Sequence, residues 1–236
     1  LGTGIQNLDN QIAVLSSKTL IGRTLDELPF YIESYYRRLN NKVSLYPNSP
    51  IKIIAEIADS LPRDIEFTFK YLGNNMFKLN AESNDLFELN TTASFGEIIK
   101  TPGGRFRIEL TDSVWPSKNT ENGIQFLFHN RKNLIESYRN RMRVEKIAKT
   151  GTIVKLNLEG TNKMMDIEFL NKLTDIFLNN SLEKKNQEAF RTIQFIDDQL
   201  IGISDSLVIT ENKLQQFRSK NRVMNLSAQG QVIIDQ

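Results

Sequence analysis

The residues able to do chemistry are few in this chain of 236, and their spacing limits what they could do. His129 is the only histidine and cysteine is absent. A Ser-His-Asp or Cys-His device would have to use His129, which follows the apolar run Ile124 to Phe128 and precedes Asn130 and Arg131. No nucleophile on a strained turn lies near it in sequence, so the expectation is a surface residue at a strand end. One histidine and no thiol cannot supply the usual nitrogen and sulfur metal ligands. Carboxylate-only sites stay open, but Asp197, Asp198, Asp205 and Glu211 fall on outer positions of an amphipathic pattern, where solvated charges are expected. Thr101-Pro-Gly-Gly-Arg-Phe106 lacks the Lys-Ser/Thr of a phosphate loop and leads into a strand pattern, so it reads as a turn. No catalytic residue, metal ligand or cofactor site is therefore assigned.

Charge singles out one segment. Between Arg131 and Lys149 stand Arg131, Lys132, Arg139, Arg141, Arg143, Lys146 and Lys149 against Glu136 and Glu145. Arg139, Arg141 and Arg143 are the candidate anion contacts, for phosphate, an anionic glycan or lipid head groups. The competing expectation is a solvated face or one paired to acidic neighbours. Net charge is only +2, and no aromatic row is interleaved with the cations, which argues against nucleic acid.

These residues need a scaffold, and hydrophobic periodicity supplies its outline. Ala189, Ile193, Ile196, Leu200, Ile203, Leu207, Leu214 and Phe217 recur in alternating steps of four and three, with Thr210 as the polar slot. This is a heptad seam, by which a helix lays one narrow face along another helix. From Leu182 to Phe217 it predicts a rod of about 50 Å. Phe195, Ile201, Val208 and Ile209 form a second apolar face. A helix apolar on two sides has two things to touch, so Ile193, Ile196, Leu200, Ile203, Leu207, Leu214 and Phe217 are assigned to helix packing or oligomer contact. Gly202 inside the seam predicts a bend or a close approach. A second pattern, Met165 to Phe177, predicts a helix before it, and whether Asn179-Asn-Ser181 separates the two is left open.

Earlier in the chain, Ile5, Leu8, Ile12 and Leu15, then Ile21, Leu25 and Leu28, predict helix over about 5–29, with Ser16 and Ser17 capping a fresh start and Pro29 ending it. From about 43 to 129 the period becomes two. Strands are expected at Ile51 to Ile57, Ile65 to Tyr71, Phe77 to Ala81, Phe106 to Leu110 and Ile124 to Phe128, with a hairpin across Gly73-Asn-Asn75. Asn84 to Lys100 reads as loop with a short helical turn. Helix is expected again at 131–143, and a strand at Thr152 to Leu158. The fold class is α+β: a mixed sheet with long, coiled-coil-like C-terminal helices and a β-rich insertion. Residues 1–50 and 130–236 would form an α/β base carrying the helices, and 51–129 the insertion.

No apolar run is long enough for a membrane span and no signal-peptide order is present. The sequence starts at Leu1 without Met and stops at Asp235-Gln236 in a helical pattern, so an excised soluble portion of a longer protein is expected. The stretch Gln11 to Leu25 resembles the first helix of bacterial polysaccharide chain-length determinants, the Wzz-type polysaccharide co-polymerases, and most closely those of the Wzc-type tyrosine autokinases. The resemblance continues through Pro47 to Ile51, Gly96 to Phe106 and Asn133 to Val144. It is strongest from Phe195 to Leu200, Glu211 to Phe217 and Asn225 to Gln229. It departs after the long helix, where Lys220-Asn-Arg-Val-Met224 replaces a Gly-Asn-Val-Arg signature of some relatives.

The resemblance implies a non-catalytic domain on the periplasmic side of the bacterial inner membrane, held by flanking transmembrane helices outside this chain. It further implies a homo-oligomeric ring acting with a polysaccharide polymerase or export machinery on capsular or exopolysaccharide, and a parent that carries a cytoplasmic kinase domain in some relatives. The chief alternative is a periplasmic coiled-coil adaptor of an efflux or secretion system, although no lipoyl-like half-motif flanks the helices. A glycan-cleaving enzyme would need an acid and a base converging on a cleft.

Overall fold

Short apolar runs punctuated by Gly and Asn build three antiparallel sheets, and one of them crosses most of the first unit. The computed structural model describes residues 2–38, 41–57, 61–83, 87–102, 104–111, 123–147 and 153–220. The chain divides into two units, Leu1–Leu178 and Asn179–Gln236. Gly103, Lys149, Thr152, Asn221, Met224 and 225–229, which figure in the expectations above, lie outside the described residues.

Two helices open the chain, α1 (Gly2–Leu15) and α2 (Lys18–Asp26). The expected break between them is present: Ser17 is the N-cap of α2, and its hydroxyl accepts from the Leu20 amide at 3.2 Å. Pro29 begins a 3-10 turn, Pro29–Tyr31, where its missing amide proton costs no helical bond.

Strands β1 (Ile32–Arg38), β2 (Asn41–Ser44), β3 (Ile51–Ile57), β4 (Glu66–Gly73), β5 (Met76–Ser83), β6 (Phe87–Ser94), β7 (Ile98–Thr101), β8 (Gly104–Leu110) and β9 (Ile124–Phe128) follow. The six-stranded sheet has the order β2-β1-β9-β4-β5-β6, and the three-stranded sheet β3-β8-β7. Among the described residues all ladders are antiparallel, and the one parallel contact is the isolated bridge between Arg63 and Phe128. Strands β1 and β2 precede the expected start of the β region, yet β1 pairs with β9, so the sheet joins residues from both sides of position 50.

The expected hairpin is β4–β5. Its turn uses Gly73, Asn74 and Asn75, all at positive φ, residue types that tolerate the left-handed region. The segment expected to be loop with a helical turn is corrected: Phe87–Ser94 and Ile98–Thr101 are strands β6 and β7. Their pairing along β5 and β8 supplies the order that the weakly alternating sequence does not advertise.

The helix α3 (Arg131–Arg141) is shorter than expected, because Met142–Lys146 forms strand β10. Strand β10 pairs with β11 (Val154–Leu158) in a two-stranded sheet. The final helix, α4, runs Lys163–Lys220 as one element, so the stretch at Asn179-Asn-Ser181 does not interrupt it.

The apolar core of the first unit forms two clusters. One lies among the strands and centres on Phe67, Phe106, Phe126 and Phe128, none more than 2% exposed, with ring centroids 5.0–5.9 Å apart. The other gathers Leu15, Leu20, Ile21, Leu25, Leu28 and Phe30 with Leu134, Ile135, Tyr138, Met142, Phe169 and Leu173. Gly123 shows how tightly the first is built. Its φ is +75°, and a Cβ there would stand 2.3 Å from the Phe69 carbonyl oxygen, so only glycine fits the entry to β9.

Candidate functional site

Two regions of the molecule have the makings of a site, one polar and one apolar. The polar region is a cleft of about 470 Å³ in the first unit, whose lining includes Glu33, His129, Tyr138, Arg141, Glu159 and Asp166. Strand β1 supplies Glu33, and the end of β9 supplies His129. Arg141 comes from the last turn of α3, Glu159 from just after β11, and Asp166 from the first turn of α4.

His129 is not the free surface residue expected. Its side chain is 22% exposed, with Nε2 at 3.0 Å from Glu33 Oε2 and Nδ1 at 3.9 Å from Asp64 Oδ1. Asp64, at φ +57°, also accepts from the Asn130 amide at 3.0 Å and from Asn133 Nδ2 at 2.8 Å. Asn130 caps α3 through the Lys132 and Asn133 amides. The histidine is thus the middle of a brace joining β1, β9, the Asp64 corner and the start of α3. Both ring nitrogens thus face carboxylates and neither faces a hydroxyl among the described residues.

The same brace sets a pH dependence. The hydrogen bond from His129 holds the Glu33 carboxyl below its ordinary 4.5, against the opposing effect of burial and with help from the charges of His129, Lys42 and Arg141. A carboxyl with a depressed folded pKa adds stability that is complete above its unfolded value and is lost as pH falls through the folded one. Glu33→Gln is therefore expected to flatten the acid limb of the stability curve below about pH 4.5. Urea melts of both proteins at stepped pH check this; parallel acid limbs would refute it.

The three candidate anion contacts are all engaged with acidic or carbonyl groups. Arg139 lies 3.9 Å from Glu136 Oε2, and Arg143 lies 3.7 Å from Glu159 Oε1. Arg141 donates to the Glu159 carbonyl at 3.2 Å, approaches Asp166 Oδ1 at 3.5 Å and stacks its guanidinium 4.4 Å over the Tyr138 ring. Burial raises the Asp166 carboxyl above its ordinary value, and Arg141 opposes that shift. Arg131 forms a two-pronged pair with Asp26 at 2.9 and 2.7 Å, tying α2 to α3. The basic row is also divided between α3 and β10, so it does not present one helical face. Arg139, Arg141 and Arg143 each have an acidic side chain within 4 Å.

The apolar region belongs to α4 within the second unit. Ile193, Ile196, Leu200, Ile203, Leu207, Leu214 and Phe217 are each 48% to 64% exposed, and Phe195, Ile201, Val208 and Ile209 fall in the same range. Asp197, Asp198, Asp205 and Glu211 are exposed on the same helix, as expected of solvated charges. The helix continues through Gly202, and an added Cβ there would meet nothing within 4 Å in the single chain. The structure leaves the whole heptad face accessible in the single chain.

Sequence reasoning missed Glu33, Asp64 and Asp166, because their roles arise from residues far apart in the chain. The only local signal was at Asp64, where Pro62-Arg63 precedes a residue type that accepts positive φ.

No protein-family model matches the chain. Among curated proteins it is similar to the tyrosine-protein kinase wzc of Salmonella typhimurium (strain LT2), 21% identical over 238 aligned positions that cover 96% of this chain. The tyrosine-protein kinase wzc of Salmonella typhi matches to the same extent. The alignment takes in 31% of each relative, so the chain spans about a third of their length.

Proposed function

We propose, from the premise that this chain is a homologue of one stretch of the Wzc tyrosine-protein kinases, that it is a non-catalytic domain of a polysaccharide co-polymerase. In this reading the parent protein sits in the bacterial inner membrane with the present segment on the periplasmic side. It governs export and chain length of a capsular or exopolysaccharide, and a cytoplasmic tyrosine kinase domain accompanies it. The observation that carries the reading is the coverage: the alignment takes in 96% of this chain and about a third of the kinase.

Two features of the molecule support a mechanical role. No helix among the described residues is long and apolar enough to cross a membrane, which fits a segment anchored from outside itself. The heptad face of α4 is exposed throughout, which fits contact with further copies in a homo-oligomeric ring. The adaptor reading has less support, because the two expected helices are one continuous α4 and cannot be the two arms of a hairpin.

The test is made in the source bacterium. Removing the codons for 1–236 in frame from the parent gene is expected to abolish the long capsular polymer seen by gel electrophoresis, and restoring them to recover it. An unchanged length distribution would overturn the proposal. Incubating the purified chain with the polymer is expected to leave chain length unaltered, whereas shortening would make this segment an enzyme.

A further inference from the structure

The turn between β4 and β5 concentrates features that the functions above do not use. Tyr71, Leu72 and Met76 are 42%, 53% and 42% exposed, three large apolar side chains within six positions at one end of the six-stranded sheet. A register shift between Tyr71 and Gly73 leaves Leu72 without a cross-strand partner. The turn itself, Gly73-Asn74-Asn75, is held by positive φ at all three residues and is already shaped before any partner arrives.

Directly behind this tip, Lys70 and Lys78 are cross-strand partners. Like charges set opposite one another weaken a sheet. Lys70 is exposed and Lys78 half-buried, and neither has an ion-pair partner among the described residues. Phe69 and Phe77, their neighbours in sequence, are fully buried, so strand alternation places the two ammonium groups on the face away from the core. Met76 shares that face with Lys78 by the same alternation. Lys78 is also opposite Thr92, and Met76 opposite Ser94, neither of which neutralises the pair.

An apolar tip of Leu72 and Met76, backed by two lysines, matches the layering of a bilayer surface, while Tyr71 turns its ring to Phe95 on the other face. Leucine and methionine fit the acyl boundary, and long lysine stems carry their charges to the head groups. We infer that the β4–β5 turn is a peripheral contact for an anionic lipid surface, with Leu72 and Met76 entering the interface and Lys70 and Lys78 meeting lipid phosphates. A soluble protein partner would also cover apolar residues, but it would not call for two facing cations at the boundary of the patch. This inference does not depend on the polysaccharide reading, and either can fail alone.

The experiment is sedimentation of the purified chain with vesicles of pure phosphatidylcholine or of phosphatidylcholine containing phosphatidylglycerol. The chain is expected to partition preferentially into the anionic vesicles, less so as salt rises. Lys70→Gln with Lys78→Gln should weaken that partition about 30-fold, at about fivefold for each lysine. Leu72→Ser with Met76→Ser should weaken binding to both vesicle types at unchanged melting temperature. Equal binding to neutral and anionic vesicles, or wild-type binding by the lysine double variant, would overturn the inference. Should the serine variant not fold, Leu72→Trp in a Trp115→Phe background replaces it. Its fluorescence is expected to shift to the blue and to be quenched by brominated lipid; an unshifted spectrum with anionic vesicles would refute the contact.

Discussion

Leu200→Asp combined with Ile203→Asp is expected to abolish self-association of the full-length parent while leaving the melting temperature of the isolated chain nearly unchanged. Both side chains are more than half exposed in the single chain, so their loss removes no core contact. In an assembled seam each would be buried, at roughly 1.5–3 kcal/mol per side chain. Losing two of them, and asking two carboxylates to enter the seam instead, should lower the association constant by at least about a hundredfold per contact. Analytical ultracentrifugation of the detergent-solubilised parent reads the assembly, and thermal denaturation of the chain reads the fold. If the double variant assembles normally, the heptad face has no role in subunit contact. If instead the isolated chain loses its melting transition, α4 is packed within the protomer and the exposed face has been misread.

The second large effect lies in the strand core. Phe67 is fully buried and touches three other rings, stacked 5.0 Å from Phe126 and edge-on to Phe106 and Phe128 at 5.6 and 5.7 Å. These rings come from β4, β8 and β9, so one side chain joins the two larger sheets of the first unit. Phe67→Ala is expected to destabilise the chain by about 3–5 kcal/mol, a cavity of this kind being only partly refilled. That is a large share of the total stability of a single domain. Phe67→Leu, which keeps most of the volume, should lose well under half as much. Denaturant melts compare the three proteins directly. Equal losses for Ala and Leu would show that ring geometry, rather than filled volume, holds the cluster together.

Periodicity made the long helix and the strongest strands legible. The four-three spacing from Ala189 to Phe217 and the alternation from Ile65 to Tyr71 each reflect a single face meeting a single environment. Strand β6 escaped notice because Glu88, Asn90 and Thr92 alternate with Leu89, Thr91 and Ala93, where the inward set is small or polar and gives little contrast. Met142–Lys146 was absorbed into the preceding helix for a related reason. Its basic residues continue the composition of α3, and only pairing with β11 reveals the change of conformation. The break at Ser16–Ser17 was readable because capping is a local, short-range event. The brace around His129 was not, since Glu33 and Asp64 become its neighbours only through the topology, as Asp166 becomes that of Arg141.

The two cores of the first unit differ in when they can be completed during vectorial synthesis. The buried members of the strand core all lie between Ile51 and Phe128, so that cluster needs nothing made later in order to close. The helical core draws Leu20, Ile21 and Leu25 from the start and Phe169 and Leu173 from far downstream. Its first helix must therefore wait, greasy side unsheltered, while more than a hundred residues are added. The order in which the chain is made therefore separates the two cores, the one closing early and the other only once the start of α4 exists.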